Sequence, residues 1–178
     1  MTSPEPRAVV LVGPMGAGKS SIGKRLAKQL GMPFADTDSI VARAHGSIAE
    51  LFVTRGEEHF RALEREAVAG ALAAGGVVSL GGGAVLDPLT RDDLSRHLVI
   101  SLTVAPKVVA GRLGAGAGRP LLGGDDETPL ERWQRIYERR RPLYDQVADA
   151  TFDTSSGPLD RIASSIAEWV ITTGGHPS

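Results

Sequence analysis

Ala8-Val9-Val10-Leu11-Val12-Gly13-Pro14-Met15-Gly16-Ala17-Gly18-Lys19-Ser20 decides how the rest of the chain must fold. The apolar run from Ala8 to Val12, rich in β-branched residues, predicts a buried parallel strand. Gly13 to Ser20 then has the Gly-x-x-x-x-Gly-Lys-Ser spacing of a phosphate-binding loop. Ser21 to Leu30 reads as an amphipathic helix stopped by Gly31. In that order the glycines let backbone N–H groups turn inward around phosphates, and the helix N-terminus adds partial positive charge. Lys19 is placed for the β- and γ-phosphates, and the Ser20 hydroxyl for Mg²⁺. Gly16, Ala17, Gly18, Lys19, Ser20 and Ser21 are therefore expected to hold a nucleoside triphosphate.

Bulk properties fit an enzyme with one substantial core. The chain has 178 residues, enough for a single domain spanning 1–178, and its 42% hydrophobic content is in the globular range. Lys plus Arg number 20 against 21 Asp plus Glu, a balance that argues against a nucleic-acid or membrane-surface binder. With no cysteine there is no disulfide framework, thiolate nucleophile or cysteine metal site. The N-terminus lacks a signal-peptide core and no stretch has membrane-spanning length, so a cytoplasmic protein is expected. A monomer is expected as well.

Strand and helix patterns alternate along the chain, which predicts an α/β fold with a parallel sheet covered on both faces. Five short strands are expected: Ala8–Val12, Met32–Ala35, Val77–Leu80, Leu98–Leu102 and Ala150–Asp153. Ser47-Ile48-Ala49-Glu50 has capping-box spacing and opens a helix ending near Gly56, and a longer one follows from Glu57 to about Ala74. Pro129 opens a helix to about Leu143, and Pro158 to Val170 is the last. Residues from about 111 to 127 include a stretch, Gly111 to Gly124, with six glycines, the pattern of a flexible lid. The tail from 172 to 178 is expected to be disordered.

A phosphate loop alone leaves function open among switches, motors and small-molecule kinases. Guanine-reading switches usually carry an Asn-Lys-x-Asp element, and this chain contains no asparagine. Motor ATPases usually place a carboxylate after an apolar strand, whereas Val77 to Leu80 runs into Gly81-Gly82-Gly83. Those glycines allow a ligand close to the backbone. A small-molecule kinase is the favoured class.

Several residues look misplaced for a bland fold. Asp36 and Asp38 sit at the C-terminal end of the second strand, where open α/β sheets bind ligands. One suits Mg²⁺ and the other a hydroxyl proton, unless Asp38 merely caps the next helix. On the Glu57–Ala74 helix, Glu64 falls inside the apolar stripe of Phe60, Leu63, Ala67 and Ala71, with Arg61 on its flank. The two either satisfy each other structurally or orient Arg61 toward an anion. On the Pro129 helix, Arg140 continues the stripe of Leu130, Trp133, Ile136 and Tyr137, while Arg132, Arg135 and Arg139 cluster opposite as solvated surface. An inward guanidinium needs a carboxylate or phosphate, from substrate or from the protein. Arg119 is either a lid arginine for the transferring phosphoryl group or an idle loop residue. Arg112 is a candidate for packing on the nucleotide base.

Taken in order, Gly13–Ser20, Asp36-Thr37-Asp38, Gly56-Glu-Glu-His-Phe-Arg61 with Glu64, Leu80-Gly-Gly-Gly-Ala-Val85, Arg119-Pro-Leu-Leu122 and Arg140-Arg-Pro-Leu-Tyr144 resemble the shikimate kinases over nearly the whole chain. The resemblance implies a nucleoside-monophosphate-kinase-like fold with strand order 2-3-1-4-5. It implies transfer of the ATP γ-phosphoryl group to the 3-hydroxyl of shikimate, with Mg²⁺, in aromatic amino-acid biosynthesis. It makes Lys19, Asp38 and Arg119 catalytic and gives Asp38, Arg61, Gly82 and Arg140 the acceptor. Phe52, Phe60, Glu64, Gly81 and Gly83 would support that pocket, Arg112 and Arg119 would join the nucleotide site, and Ser20 with Asp36 would hold the metal. The family often offers an arginine near the adenine after the last strand, whereas Thr154-Ser155-Ser156-Gly157-Pro158 has none. A gluconate-type kinase and a catalytically silent nucleotide-binding protein are the rival readings.

Overall fold

β1 (Val9–Val12) is buried along its whole length and lies in the middle of a five-stranded sheet of order β2-β3-β1-β4-β5. β1 pairs with β3 (Val77–Ser79) and β4 (Leu98–Thr103), β2 (Phe34–Asp36) pairs with β3 and β5 (Ala150–Asp153) with β4, all in parallel. The computed structural model describes residues 7–113 and 127–174. The order is the one expected from the sequence.

Parallel strands need a crossover between each pair, so the helices cover both sheet faces. The crossovers and flanking segments are α1 (Lys19–Leu30), α2 (Thr37–His45), α3 (Ile48–Ala74), α4 (Pro88–Leu94), α5 (Pro106–Leu113), α6 (Pro129–Val147) and α7 (Leu159–Gly174). Alternation along β1 and β4 feeds two cores. Val9, Leu11, Leu98, Ile100 and Leu102 pack with Ile22 and Leu26 of α1 and Ile166 and Val170 of α7. Val10, Val12 and Val99 pack on the other face with Val68 and Leu72 of α3 and Leu94 of α4. α6 reaches both, because Trp133 belongs to the first core and Tyr144 to the second.

Several boundaries differ from expectation, β2 among them, expected at Met32–Ala35 and found at Phe34–Asp36. The two helices expected either side of Gly56 follow each other without a loop as α3, broken only where Gly56 takes φ 84°, ψ 168°, a conformation that L side chains avoid. α6 continues beyond Leu143 to Val147 with Pro142 inside it, since its buried face there outweighs the lost backbone donor. α7 extends to Gly174, so part of the segment assigned to a disordered tail is helical. The helix after β2 is capped by Asp36, whose Oδ1 accepts from the Ser39 N–H at 3.1 Å, and not by Asp38. The expected lid lies mostly outside the described residues, and Arg119 with it. Among the described residues no helix is long and apolar enough to cross a membrane.

Candidate active site

The phosphate loop, the β2–α2 junction, α3, the 81–83 turn and α6 enclose a cleft of about 680 Å³. Its walls include Gly16, Gly18, Lys19, Ser20 and Ser21 on one side, and Asp38, Phe52, Phe60, Arg61, Glu64, Gly82, Gly83 and Arg140 on the other. Thirteen residues singled out from separate stretches of sequence therefore meet in one cavity. Volume and shape suit a nucleotide beside a small polar acceptor.

On the nucleotide side, Lys19 Nζ donates to the carbonyls of Gly13 at 2.8 Å and Pro14 at 2.9 Å, so its charge lies against the loop. Three side chains brace that loop, two of them, Trp133 and Thr154, in a role that the sequence reading did not give them. Trp133 Nε1 donates to the Met15 carbonyl at 2.7 Å, and the buried Thr154 hydroxyl lies 2.7 Å from the Ala17 carbonyl. Arg112 bonds the Gly16 carbonyl and reaches the Thr154 carbonyl at 3.4 Å. It thus spans the phosphate loop and the turn after β5, where the sequence supplies no arginine of its own. Arg112, Leu113 and Leu159 line the cleft at that end.

Ser20 and Asp36 are hydrogen-bonded to each other at the β2 end of the cleft. A serine hydroxyl and one carboxylate are hard oxygen donors of the kind Mg²⁺ takes, together with phosphate oxygens and water. Among the described residues no group of three His, Cys, Asp or Glu side chains could hold a metal ion.

On the acceptor side, Asp38 lies in the first turn of α2, where the helix dipole favours a negative charge. Arg61 Nη1 bonds Glu64 Oε1 at 2.8 Å and Nη2 reaches Glu57 at 3.4 Å, while the guanidinium lies over the Phe60 ring at 5.3 Å. Phe60 in turn packs on Phe52, with ring centroids 4.9 Å apart. Burial pushes the Glu64 carboxyl above its usual range, and the charge and hydrogen bond of Arg61 pull it back only in part. Asp38 also raises it, which places the two carboxylates within electrostatic reach. Arg61 Nε is buried without a hydrogen-bond partner. Arg140 is only 7% exposed, and its charge also acts on the Glu64 carboxyl. Arg135 and Arg139 are exposed as expected, but Arg132 is largely covered and pairs with Glu127 at 3.4 Å.

Two of the three glycines after β3, Gly81 and Gly83, have a steric reason. A Cβ at Gly81 would stand 2.6 Å from Asp38 Oδ1 and 2.8 Å from Glu64 Oε2, and one at Gly83 would stand 2.7 Å from Arg61 Cζ. The turn thus lets three charged side chains close on bare backbone. Its ends are pinned by a bond from the Gly81 N–H to the buried Thr37 hydroxyl at 3.1 Å and one from Tyr144 Oη to the Gly82 carbonyl at 2.5 Å. Thr37 lay inside a quoted motif without a role, as did Tyr144, although Tyr144 is one helical turn beyond Arg140 on the same stripe. Gly81→Ala is expected to fold, with overpacking that costs about 1–3 kcal/mol, and to raise the acceptor KM while leaving the nucleotide KM near the parent value. Thermal melting and two-substrate kinetics measure both effects, and equal change in the two KM values would contradict the steric assignment.

Comparison with known proteins agrees with this geometry. The family model described as shikimate kinase matches residues 15–171. A shikimate kinase of Salinispora arenicola is 47% identical over 160 residues, covering 89% of this chain and 94% of that protein. Among solved structures, shikimate kinase from Acinetobacter baumannii in complex with shikimate superposes with a TM-score of 0.86 at 31% identity, covering 97% of this chain and 96% of that one. A gluconokinase from Sinorhizobium meliloti reaches a TM-score of 0.60 at 22% identity, which is likeness of fold alone. With the match running from the phosphate loop through the last helix, this chain belongs to the shikimate kinase family.

Proposed function

We propose that the cleft transfers the γ-phosphoryl group of ATP to the 3-hydroxyl of shikimate, with Arg61 and Arg140 gripping the acceptor's carboxylate. The observation that carries this reading is that Arg140, a cation only 7% exposed, and Arg61 both line the acceptor end of the cleft. Burying a guanidinium is costly, and an anionic ligand offsets that cost through charge-assisted bonds. Arg61 lines the same wall, and its bond to Glu64 leaves one buried Nε–H unused.

Asp38 faces the same space and takes the ring hydroxyls. In the transfer, the 3-oxygen forms a bond to the γ-phosphorus as the bond from phosphorus to the bridging oxygen of ADP breaks. The hydroxyl proton passes to Asp38. Lys19 and the loop N–H groups hold the β- and γ-phosphates in line with that attack. Ser20 and Asp36 would hold Mg²⁺, which neutralises charge on the phosphate oxygens when bound. Arg119, outside the described residues, is assigned from its motif to the transferring group. A cytoplasmic monomer without nucleic-acid or membrane partners completes the reading, supported by the balanced charge.

Arg61→Ala and Arg140→Ala should each weaken shikimate binding about tenfold to a hundredfold, the worth of a charge-assisted bond of roughly 1.5–3 kcal/mol. ATP affinity should stay near the parent's. The two losses need not add, because both side chains hold one carboxylate. An acceptor with its carboxyl reduced to an alcohol should bind the parent poorly and lose little more in the variants. Variants that still discriminate against it as strongly as the parent would refute the grip. Turnover with shikimate against gluconate, in a coupled ADP assay, tests the acceptor itself, and preference for gluconate would move the chain to the rival reading.

A further inference from the structure

We propose that Tyr144 is a positioning residue for acceptor recognition: its hydroxyl ties the Gly82 carbonyl to the Arg140 guanidinium, fixing arginine and turn in one relation. The inference rests on the reading of Arg140 as a carboxylate ligand. Tyr144 follows Arg140 by one turn of α6, so the two side chains stack along the same helix face. Its ring is 2% exposed and its Oη donates to the Gly82 carbonyl at 2.5 Å, joining positions 62 residues apart. A Cβ at Gly82 would stand 3.6 Å from Arg140 Nη1, so the guanidinium runs close over the same peptide. Phenol, carbonyl and guanidinium therefore sit together at the wall of the cleft.

Donor and acceptor chemistry fixes the direction of the contacts. A phenol has one O–H to give, and here the Gly82 carbonyl takes it. A guanidinium only donates, so Tyr144 meets Arg140 as an acceptor. Burial pushes the Tyr144 hydroxyl up to about 12, against the opposing pull of Arg140's charge and hydrogen bond. The phenol thus keeps its proton, and the direction holds across any working pH.

The neutrality of this partner is the point. Arg61 is held by a carboxylate, Glu64, which offsets much of its charge. A second carboxylate beside Arg140 would hold it as well but would compete with the substrate's own. A neutral phenol orients the fork while leaving its positive charge for the ligand. Holding the Gly82 carbonyl also aims the Gly83 N–H the opposite way, because the peptide between them is planar and trans.

The test compares Tyr144→Phe, Arg140→Ala and the double variant by calorimetric titration of shikimate and by two-substrate kinetics. Tyr144→Phe keeps ring and packing, and Tyr144→Met carries the same expectation should the Phe variant not fold. The single variant should weaken shikimate about fivefold to twentyfold, with the ATP KM within about twofold, as for loss of one hydrogen bond acting through another group. It should also discriminate less against the carboxyl-reduced acceptor, a change that general loosening of the fold would not produce. In the Arg140→Ala background the same substitution should have almost no further effect on shikimate. If Arg140→Ala weakens shikimate while Tyr144→Phe binds it like the parent, or if the two losses simply multiply, the positioning role is overturned and the grip stands. If Arg140→Ala itself leaves shikimate affinity unchanged, the carboxylate reading fails and this inference with it.

Discussion

Lys19→Met should lower turnover by about a thousandfold or more, since a preorganised donor to transition-state charge is worth about 10²–10³ even when neutral. Lys19 opens α1 and its Nζ rests 2.8 and 2.9 Å from two carbonyls of the loop that cradles phosphate. That placement lets a small rotation carry the ammonium onto the β- and γ-oxygens while the loop stays in place. The side chain lines the cleft and is not part of either core. The variant should therefore keep its circular dichroism and melt within a few degrees of the parent, because about 1 kcal/mol moves a domain of this size only about 2–4 °C. Shikimate should still bind, since the acceptor wall is built by other residues. Turnover within tenfold of the parent would remove Lys19 from the mechanism and leave the backbone of the loop as the phosphate ligand.

Sequence made the sheet and the nucleotide side legible for a physical reason. Strand, glycine loop and helix are contiguous, so their spacing is their geometry, and the apolar alternation of β1 and β4 specified both cores. The acceptor side was legible only as oddities, such as Glu64 and Arg140 on apolar stripes. Each signals a charge that must find a partner, but the partner is set by tertiary contact. Periodicity could not show that Asp38 and Glu64 both close on Gly81, or that Gly83 makes room for Arg61. The misplacement of Arg132 has the same origin. Angular position on α6 put it with the solvated arginines, whereas Glu127, just before the helix, covers it and pairs with it.

Braces were least legible of all. Thr154 and Trp133 lie 137 and 118 residues from the loop carbonyls they contact, and neither carries a pattern that announces such a bond. Trp133 reads as a core residue, which it also is, and Thr154 as part of the turn after the last strand. Their hydrogen bonds matter because they fix carbonyls on the outer side of the loop, leaving its N–H groups to face the phosphates. α6 bonds the loop through Trp133 and the acceptor turn through Tyr144. One rigid helix thus sets the distance between phosphoryl donor and acceptor, which is what an in-line transfer requires.

Asp38→Asn is the substitution that separates chemistry from recognition on the acceptor side. The carboxylate sits at the positive end of α2, within reach of Glu64, and any Cβ at Gly81 would collide with its Oδ1. Asn keeps the size and one acceptor oxygen but cannot take a proton. If Asp38 accepts the proton of the attacking hydroxyl, turnover should fall by about 10²–10⁴, the usual worth of a positioned base. Shikimate affinity should change by less than about tenfold, because an amide still meets the ring hydroxyls with a neutral hydrogen bond. Nucleotide affinity should not move, since Ser20 and Asp36 hold each other without Asp38. Rapid-quench measurement of a single turnover isolates the transfer step from product release. A normal transfer rate with weakened shikimate binding would make Asp38 an orienting ligand only, and the proton would then pass directly to the phosphoryl oxygens.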